Sequence, residues 1–271
     1  MKQTADHARP QGSRAGARPG LAGLALAALL LATITPGPAR GADTSRSETG
    51  PVVMELFTSQ GCEACPAMDR LLGEFVGRED VIALSFHVDY WNYIGWRDPY
   101  SKPSFSKRQK LYARRFGDKM VSTPQFVVDG EYEADATSKN ALERLVEMAR
   151  EAKPDRARVS LEIGASGELR VAISGPPQAE PAHIWMVTFD QLRGTAIRSG
   201  ENQGMFLRNY NVVRNLVHVG LWPGGDLEMR LDGSTLMVDH AGGCAILVQG
   251  EHMGPFLGAA KLTWNLSLIH I

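Results

Sequence analysis

A compact apolar segment, Pro51–Thr58 (VVMELFT after the proline), is followed after three turn residues, Ser59-Gln60-Gly61, by Cys62-Glu63-Ala64-Cys65. The run is compact and mostly apolar and reads as a buried strand. From Cys62 onward the pattern changes. Met68, Leu71, Leu72, Phe75 and Val76 recur at three- and four-residue spacing, which predicts a helix opening on the cysteine pair. Strand, tight turn and helix in immediate succession place two thiols at a helix N-terminus. Free amides and the positive end of the helix dipole there favour a thiolate on the first cysteine. Cys65, one turn further in, is placed to resolve a mixed disulfide. Zinc is a poorer reading, because it usually takes four ligands and no second Cys-x-x-Cys or His-x₃-His partner is present. An inert structural disulfide is the other alternative.

The chain then continues in the same alternating style. Val81–Val88 reads as a second strand, and residues 89–103 are rich in aromatic and turn-forming side chains. Ser104–Phe116 is an amphipathic helix stopped by Gly117. Gln125–Asp129 is a third strand, turned by Asp129-Gly130 into a fourth at Glu131–Ala134. Thr137–Glu151 is a closing helix with Ser138 as its N-cap and Leu142, Leu145, Val146 and Ala149 as its buried stripe. After Lys153-Pro154-Asp155 the helical period disappears. Val159, Leu161 and Ile163, then Leu169, Val171 and Ile173, alternate with polar residues as a β-hairpin. Further strands are expected at Ile184–Phe189, Leu207–Val219, Leu236–Val238 and Cys244–Gln249. This divides the chain into an α/β domain over 51–153 and a mostly β, sandwich-like domain over 154–265.

Both ends need trimming before the fold is considered. Arg9, Arg14 and Arg18 precede the apolar run Leu21–Ile34, and small residues follow around Ala39–Ala42. Basic, apolar, then small is the order of a secretory signal peptide, so residues 1–42 are expected to be removed and 43–50 to be a short polar tail. The run is shorter than the ~20 residues that span a bilayer, which argues against an uncleaved anchor. Leu266–Ile271 (LSLIHI) resembles translated sequencing adapter and is left out of the reading. The whole chain carries a net charge of −1. Removal of residues 1–42 takes away five Lys/Arg and one Asp and leaves −5. A mildly acidic chain without a basic block is a poor partner for nucleic acid or an anionic membrane.

Downstream of the cysteines lie Tyr112-Ala113-Arg114-Arg115-Phe116-Gly117, Val121-Ser122-Thr123-Pro124, and the strand that ends in Asp129-Gly130-Glu131. Helix, proline loop, hairpin and final helix in this order closely resemble thioredoxins. The resemblance implies a thioredoxin-like fold in which Thr123–Pro124 is a cis peptide packed on the cysteine pair, with the preceding backbone offered to an extended substrate. It also implies a buried carboxylate beneath the second cysteine. Glu55, an acid in a strand of Val, Met, Leu and Phe, is the candidate, and a strand-edge glutamate facing water is the alternative.

Four further motifs narrow the resemblance: Phe57-Thr58-Ser59-Gln60-Gly61-Cys62, Phe86-His87-Val88-Asp89-Tyr90-Trp91, Gly95-Trp96-Arg97-Asp98-Pro99 and Gly243-Cys244-Ala245-Ile246-Leu247-Val248-Gln249. Over residues 51–264 they look like the exported thioredoxin-like family catalogued as domain of unknown function 1223. That family implies a fold and a cysteine motif but no agreed substrate. Glu63-Ala64 departs from the small hydroxylated residues other members carry between the cysteines.

The resulting expectation is a periplasmic or secreted thiol–disulfide oxidoreductase without a cofactor or metal, acting on protein or small-molecule thiols or disulfides. Cys62, Cys65, Pro124 and Glu55 would carry the chemistry. Thr123, His87, Asp89, Trp91 and Trp96 would form a substrate rim, or else a packed aromatic insert. Cys244, in an apolar strand, reads as buried and inert, with a resolving or alternative disulfide partner as the other reading. Two other readings stay open: a Cu(I) carrier using both cysteines with Met54, Met68 or Met120, and a redox-inert interaction protein.

Overall fold

The computed structural model describes residues 50–264 apart from 136, 154 and 234–241. The expected leader, most of the polar tail, the strand at Leu236–Val238 and residues 266–271 lie outside the described residues. β1 (Val52–Thr58) and β2 (Val81–His87) are buried at every position and pair in parallel. A strand covered on both faces reads as a continuous apolar run, which is how both appear in the sequence. β3 (Gln125–Val128) pairs antiparallel with β1 and turns into β4 (Tyr132–Ala134). Three helices accompany them: α1 (Cys65–Gly73), α2 (Pro103–Phe116) and α3 (Lys139–Ala152). Gly117 closes α2 in the left-handed region, at φ 85°. The Ser138 side chain accepts from the Ala141 N–H at 3.3 Å and caps α3.

Apart from Leu236–Val238, the strands expected after Lys153 are present, and most of them extend the first sheet. β7 (Ala182–Ala196), β8 (Phe206–Trp222), β10 (Gly243–Gln249) and β11 (Phe256–Thr263) join it in the order β11-β10-β7-β8-β2-β1-β3-β4. β5 (Arg158–Ile163), β6 (Leu169–Ser174) and β9 (Leu227–Leu231) form a separate three-stranded antiparallel sheet. The chain is therefore α/β, with a mixed eight-stranded sheet and a small antiparallel one. The β-hairpin foreseen at 159–173 is β5–β6. β9 and β11 went unseen, and β7 and β8 run longer than their apolar cores.

Side-chain parity sorts the layers. Val53 and Phe57 of β1, with Ala245 and Leu247 of β10, pack on the α2 side with Phe105 and Tyr112. Val52, Met54 and Leu56 face the other way, onto Leu71 and Leu72 of α1 and Leu142, Val146 and Ala149 of α3. The opposite parity of β7 and β10, including Ile184, Cys244, Ile246 and Val248, packs on Leu169, Val171 and Ile173 of the small sheet. Among the described residues no helix is long and apolar enough to cross a membrane.

The two groups of strands meet between β2 and β8, where the paired position is Ser85↔Val212. Side chains close this seam instead. Asn211 Nδ2 donates to the Ala83 carbonyl at 2.8 Å, and Ser85 Oγ donates to the Tyr210 carbonyl at 2.9 Å. Asn211 also sits at φ 42°, a region that asparagine tolerates better than most residues. Asn211→Ala is expected to lower the unfolding free energy by about 2 kcal/mol, from one buried hydrogen bond and the left-handed backbone, as read from urea unfolding midpoints.

Candidate functional site

β1 ends in a turn whose geometry is set by small and polar residues. The Cys62 N–H donates to the Ser59 carbonyl at 3.2 Å, and the Cys65 N–H donates to the Cys62 carbonyl at 3.3 Å. Gly61 fits closely here, since a Cβ would lie 3.2 Å from the Trp91 Cβ and would press on it. Helix α1 begins at Cys65, three residues later than the sequence pattern predicts. Pro66 explains the shift: it fits the first helical turn, where its missing N–H costs nothing. Cys62 thus stands in the turn that leads into the helix. Cys62 and Cys65 are disulfide-bonded, with Cα atoms 5.4 Å apart. Glu63 and Ala64 between them are exposed, whereas Cys62 is only 2% exposed and Cys65 is fully buried.

The proline loop arrives from about 60 residues away in sequence. Thr123–Pro124 is a cis peptide, and the Thr123 carbonyl oxygen lies 3.6 Å from the Cys62 sulfur. Trp91 Nε1 donates to Thr123 Oγ1 at 2.7 Å. Thr123, Pro124 and Trp91 therefore gather at Cys62. Trp96 is held one layer back, with its Nε1 donating to Gln60 Oε1 at 3.1 Å.

Three other site residues stand differently from the expectation. Asp89 is tied to the start of α2, where its N–H donates to Ser106 Oγ at 3.0 Å and its carboxylate accepts from the same hydroxyl at 2.5 Å. His87 is fully buried and cannot be part of a rim. Its Nδ1 lies 2.7 Å from Asp98 Oδ2. Burial works against its charged form, but the Asp98 carboxylate outweighs burial and holds His87 above its ordinary value. Burial likewise opposes the Asp98 charge, yet His87 and the Gln60 and Tyr100 N–H groups keep it below the usual carboxylate range.

Glu55 is neither beneath Cys65 nor exposed to water. It lies on the α2 side of β1, while α1 packs on the opposite face. Arg108 Nε donates to Oε1 at 2.7 Å, and Tyr112 OH donates to Oε2 at 2.5 Å. Gln249 completes the cluster by accepting from Arg108 Nη2 and donating to Tyr112 OH, both at 2.9 Å. The strand's period of two decides this. A register one residue different would have put the carboxylate on the cysteine side.

The acid on the cysteine side is Asp69. It follows Cys65 by four residues, on the same helix face and one turn on. Thr58 Oγ1 donates to it at 2.9 Å, and burial raises its pKa from 3.8 to about 6. A cavity of about 150 Å³ between α1 and β8, lined by Pro66, Asp69 and Asn209 among others, reaches it from the side. The sequence did carry a signal: a charged residue in the buried stripe between Cys65 and Leu72. Asn202 and Asn209 carried none. Asn202 Nδ2 donates to the carbonyls of Gln60 at 2.9 Å and Cys62 at 3.0 Å, so the β7–β8 hairpin fastens the cysteine turn from 140 residues away. Asn209 Oδ1 accepts from Gln60 Nε2 at 2.9 Å.

Cys244 is a free, fully buried thiol, and burial pushes its pKa up to about 12. β10 is four strands from β1 in the sheet, roughly 19 Å, so Cys244 stands well apart from the pair. Met54 lies in the core and Met120 is 85% exposed. Among the described residues no three His, Cys, Asp or Glu side chains are grouped so as to hold a metal ion.

A crystal structure of protein AGR_C_4864 from Agrobacterium tumefaciens, a structural genomics target, is similar to this chain. The two share 28% identity at a TM-score of 0.71, over 82% of this chain and 98% of that one. An endonuclease/exonuclease/phosphatase from Beutenbergia cavernae matches at a TM-score of 0.21 and 15% identity, over 40% of this chain and 24% of that one, too little for a shared fold. No curated protein matches the chain. The model of the family described as protein of unknown function (DUF1223) matches residues 53–249, and the chain belongs to that family.

Proposed function

We propose that the protein is an exported thioredoxin-like thiol–disulfide exchange protein that works on protein thiols in the periplasm or outside the cell. The observation that carries this reading is the disulfide at the entry to α1, with the Thr123 carbonyl oxygen 3.6 Å from Cys62. An extended substrate would lie along Thr123 and Pro124. A substrate thiolate attacks the Cys62 sulfur, the Cys62–Cys65 bond breaks, and Cys65 leaves as a thiolate. A second substrate thiolate then attacks the substrate sulfur of the mixed disulfide and releases Cys62. Two substrate thiols become one disulfide, and the protein pair takes up two electrons; the reverse sequence reduces a substrate. In this scheme Asp69, rather than Glu55, would give the Cys65 thiolate its proton and take it back.

Burial of both sulfurs favours a second reading, a structural clip that never exchanges. Titration of the purified protein against a glutathione series separates the two. Exchange is expected to be reversible, absent in Cys62→Ser, and trapped as a mixed disulfide in Cys65→Ser. A midpoint below about −300 mV with no mixed disulfide would establish the clip.

A further inference from the structure

We infer that the cavity between α2 and the β10–β11 turn is a second binding site, one for a small organic anion with a flat apolar body, such as an aryl carboxylate or aryl phosphate. The cavity measures about 480 Å³, within the range that encloses small molecules. It lies on the α2 side of the sheet, away from α1 and the cysteines.

Its charge is unbalanced. Arg114 and Arg115, in the last turn of α2, line it, are exposed, and form no ion pair among the described residues. Among the described residues Glu251 is the one acid in the lining, and it is already engaged with His183 Nε2 at 3.2 Å. The other ring nitrogen of His183 lies 3.0 Å from His218 Nε2, which fixes the imidazole in the wall. Trp185 stands next to it, edge-to-face with His218 at 5.1 Å between ring centres, and gives the cavity a rigid flat surface. Guanidinium groups and an aromatic wall lining one cavity suit an anion attached to a ring, since one part takes the charge and the other the face.

A buried group behind the wall supports the same reading. Arg108 is 4% exposed, and its Nη1 faces only the Met253 thioether, a weak acceptor at 3.8 Å, while its other nitrogens are bonded to oxygen. Met253 lines the cavity, so a strong donor stands directly behind its wall. His252 and Met253 are also both in the left-handed region, at φ 55° and 60°, a conformation that non-glycine residues rarely adopt. Both residues line the cavity, and backbone outliers held in this way gather at ligand clamps.

Phenyl phosphate is a suitable probe, followed by the NMR resonances of Trp185, His183 and His218, with inorganic phosphate and benzyl alcohol to test charge and ring separately. Saturable shifts are expected with phenyl phosphate, and weaker ones with either fragment. The exposed double variant Arg114→Ala/Arg115→Ala should bind at least about tenfold more weakly, the loss of one or more charge-assisted hydrogen bonds. Cys62→Ser should bind as the unaltered protein does. The inference is overturned if those resonances do not move up to ~10 mM probe, if the double variant binds equally well, or if the loss follows Cys62 instead. None of these outcomes depends on whether the cysteine pair exchanges disulfides.

Discussion

Arg108→Met is expected to lower the unfolding free energy by about 3–5 kcal/mol, because it leaves the Glu55 carboxylate buried without its cation. Glu55 is fully buried in β1 and Arg108 is nearly so, and the pair is the centre of a cluster that also holds Tyr112 of α2 and Gln249 of β10. Burial alone would disfavour the Arg108 charge, but Glu55 holds it above its ordinary value. Burial, and after it the Glu55 charge, raises Tyr112 well above the ordinary phenol range. Taking out both charges should be much milder than taking out one. Glu55→Gln/Arg108→Met is expected to recover most of the loss, since a neutral amide can still accept from Tyr112. Urea unfolding of the two single variants and the double variant gives the coupling directly. Additive losses would mean that the two side chains act independently and that the cluster is not what ties α2 to the sheet.

Asp69→Asn is expected to act on stability and on chemistry in opposite directions. A buried acid whose pKa rises from 3.8 to about 6 favours its protonated form in the folded state. The penalty for ionising it is therefore absent below pH ~4, grows between about 4 and 6, and is constant above. Two pH units correspond to roughly 3 kcal/mol. The substituted amide keeps an acceptor for Thr58 and carries no charge, so the variant should be more stable than the unaltered protein at pH 7 by up to about 3 kcal/mol, and equal to it near pH ~4. If the proposed exchange chemistry holds, the same variant should exchange disulfides about 10²-fold more slowly at pH 7, because the Cys65 thiolate loses its proton partner. Stability curves at pH 4 and 7, with stopped-flow exchange at both, test the two effects separately. A pH-independent stability difference would place the Asp69 titration elsewhere. An unchanged exchange rate would remove Asp69 from the chemistry while leaving the structural argument intact.

Local chemistry made much of the first half legible. β1 and β2 announce themselves as continuous apolar runs because both faces are covered. Ser138 and Gly117 mark helix ends because orphan backbone groups at helix termini need particular partners. The cysteine pair was legible because it is local, whereas the Thr123-Pro124 loop, about 60 residues away, was read only through the family resemblance. The site was misread where one residue of strand register decides a face, as with Glu55. It was also misread where burial, rather than residue type, decides a role, as with His87, which pairs with Asp98 inside the protein.

The cysteine turn shows the same division. By itself the amino-acid sequence determined that two thiols stand at the entry to a helix after a buried strand, because strand, turn and helix are set by residues within about 15 positions. Tertiary structure alone decided what surrounds them. Asn202 and Asn209 of the β7–β8 hairpin hold the turn, and both sulfurs are withdrawn from solvent. Those contacts join residues up to 149 positions apart. Their geometry depends on the sheet that continues past Lys153 through β8, and no local pattern of apolar and polar residues encodes which distant hairpin will lie over a given turn.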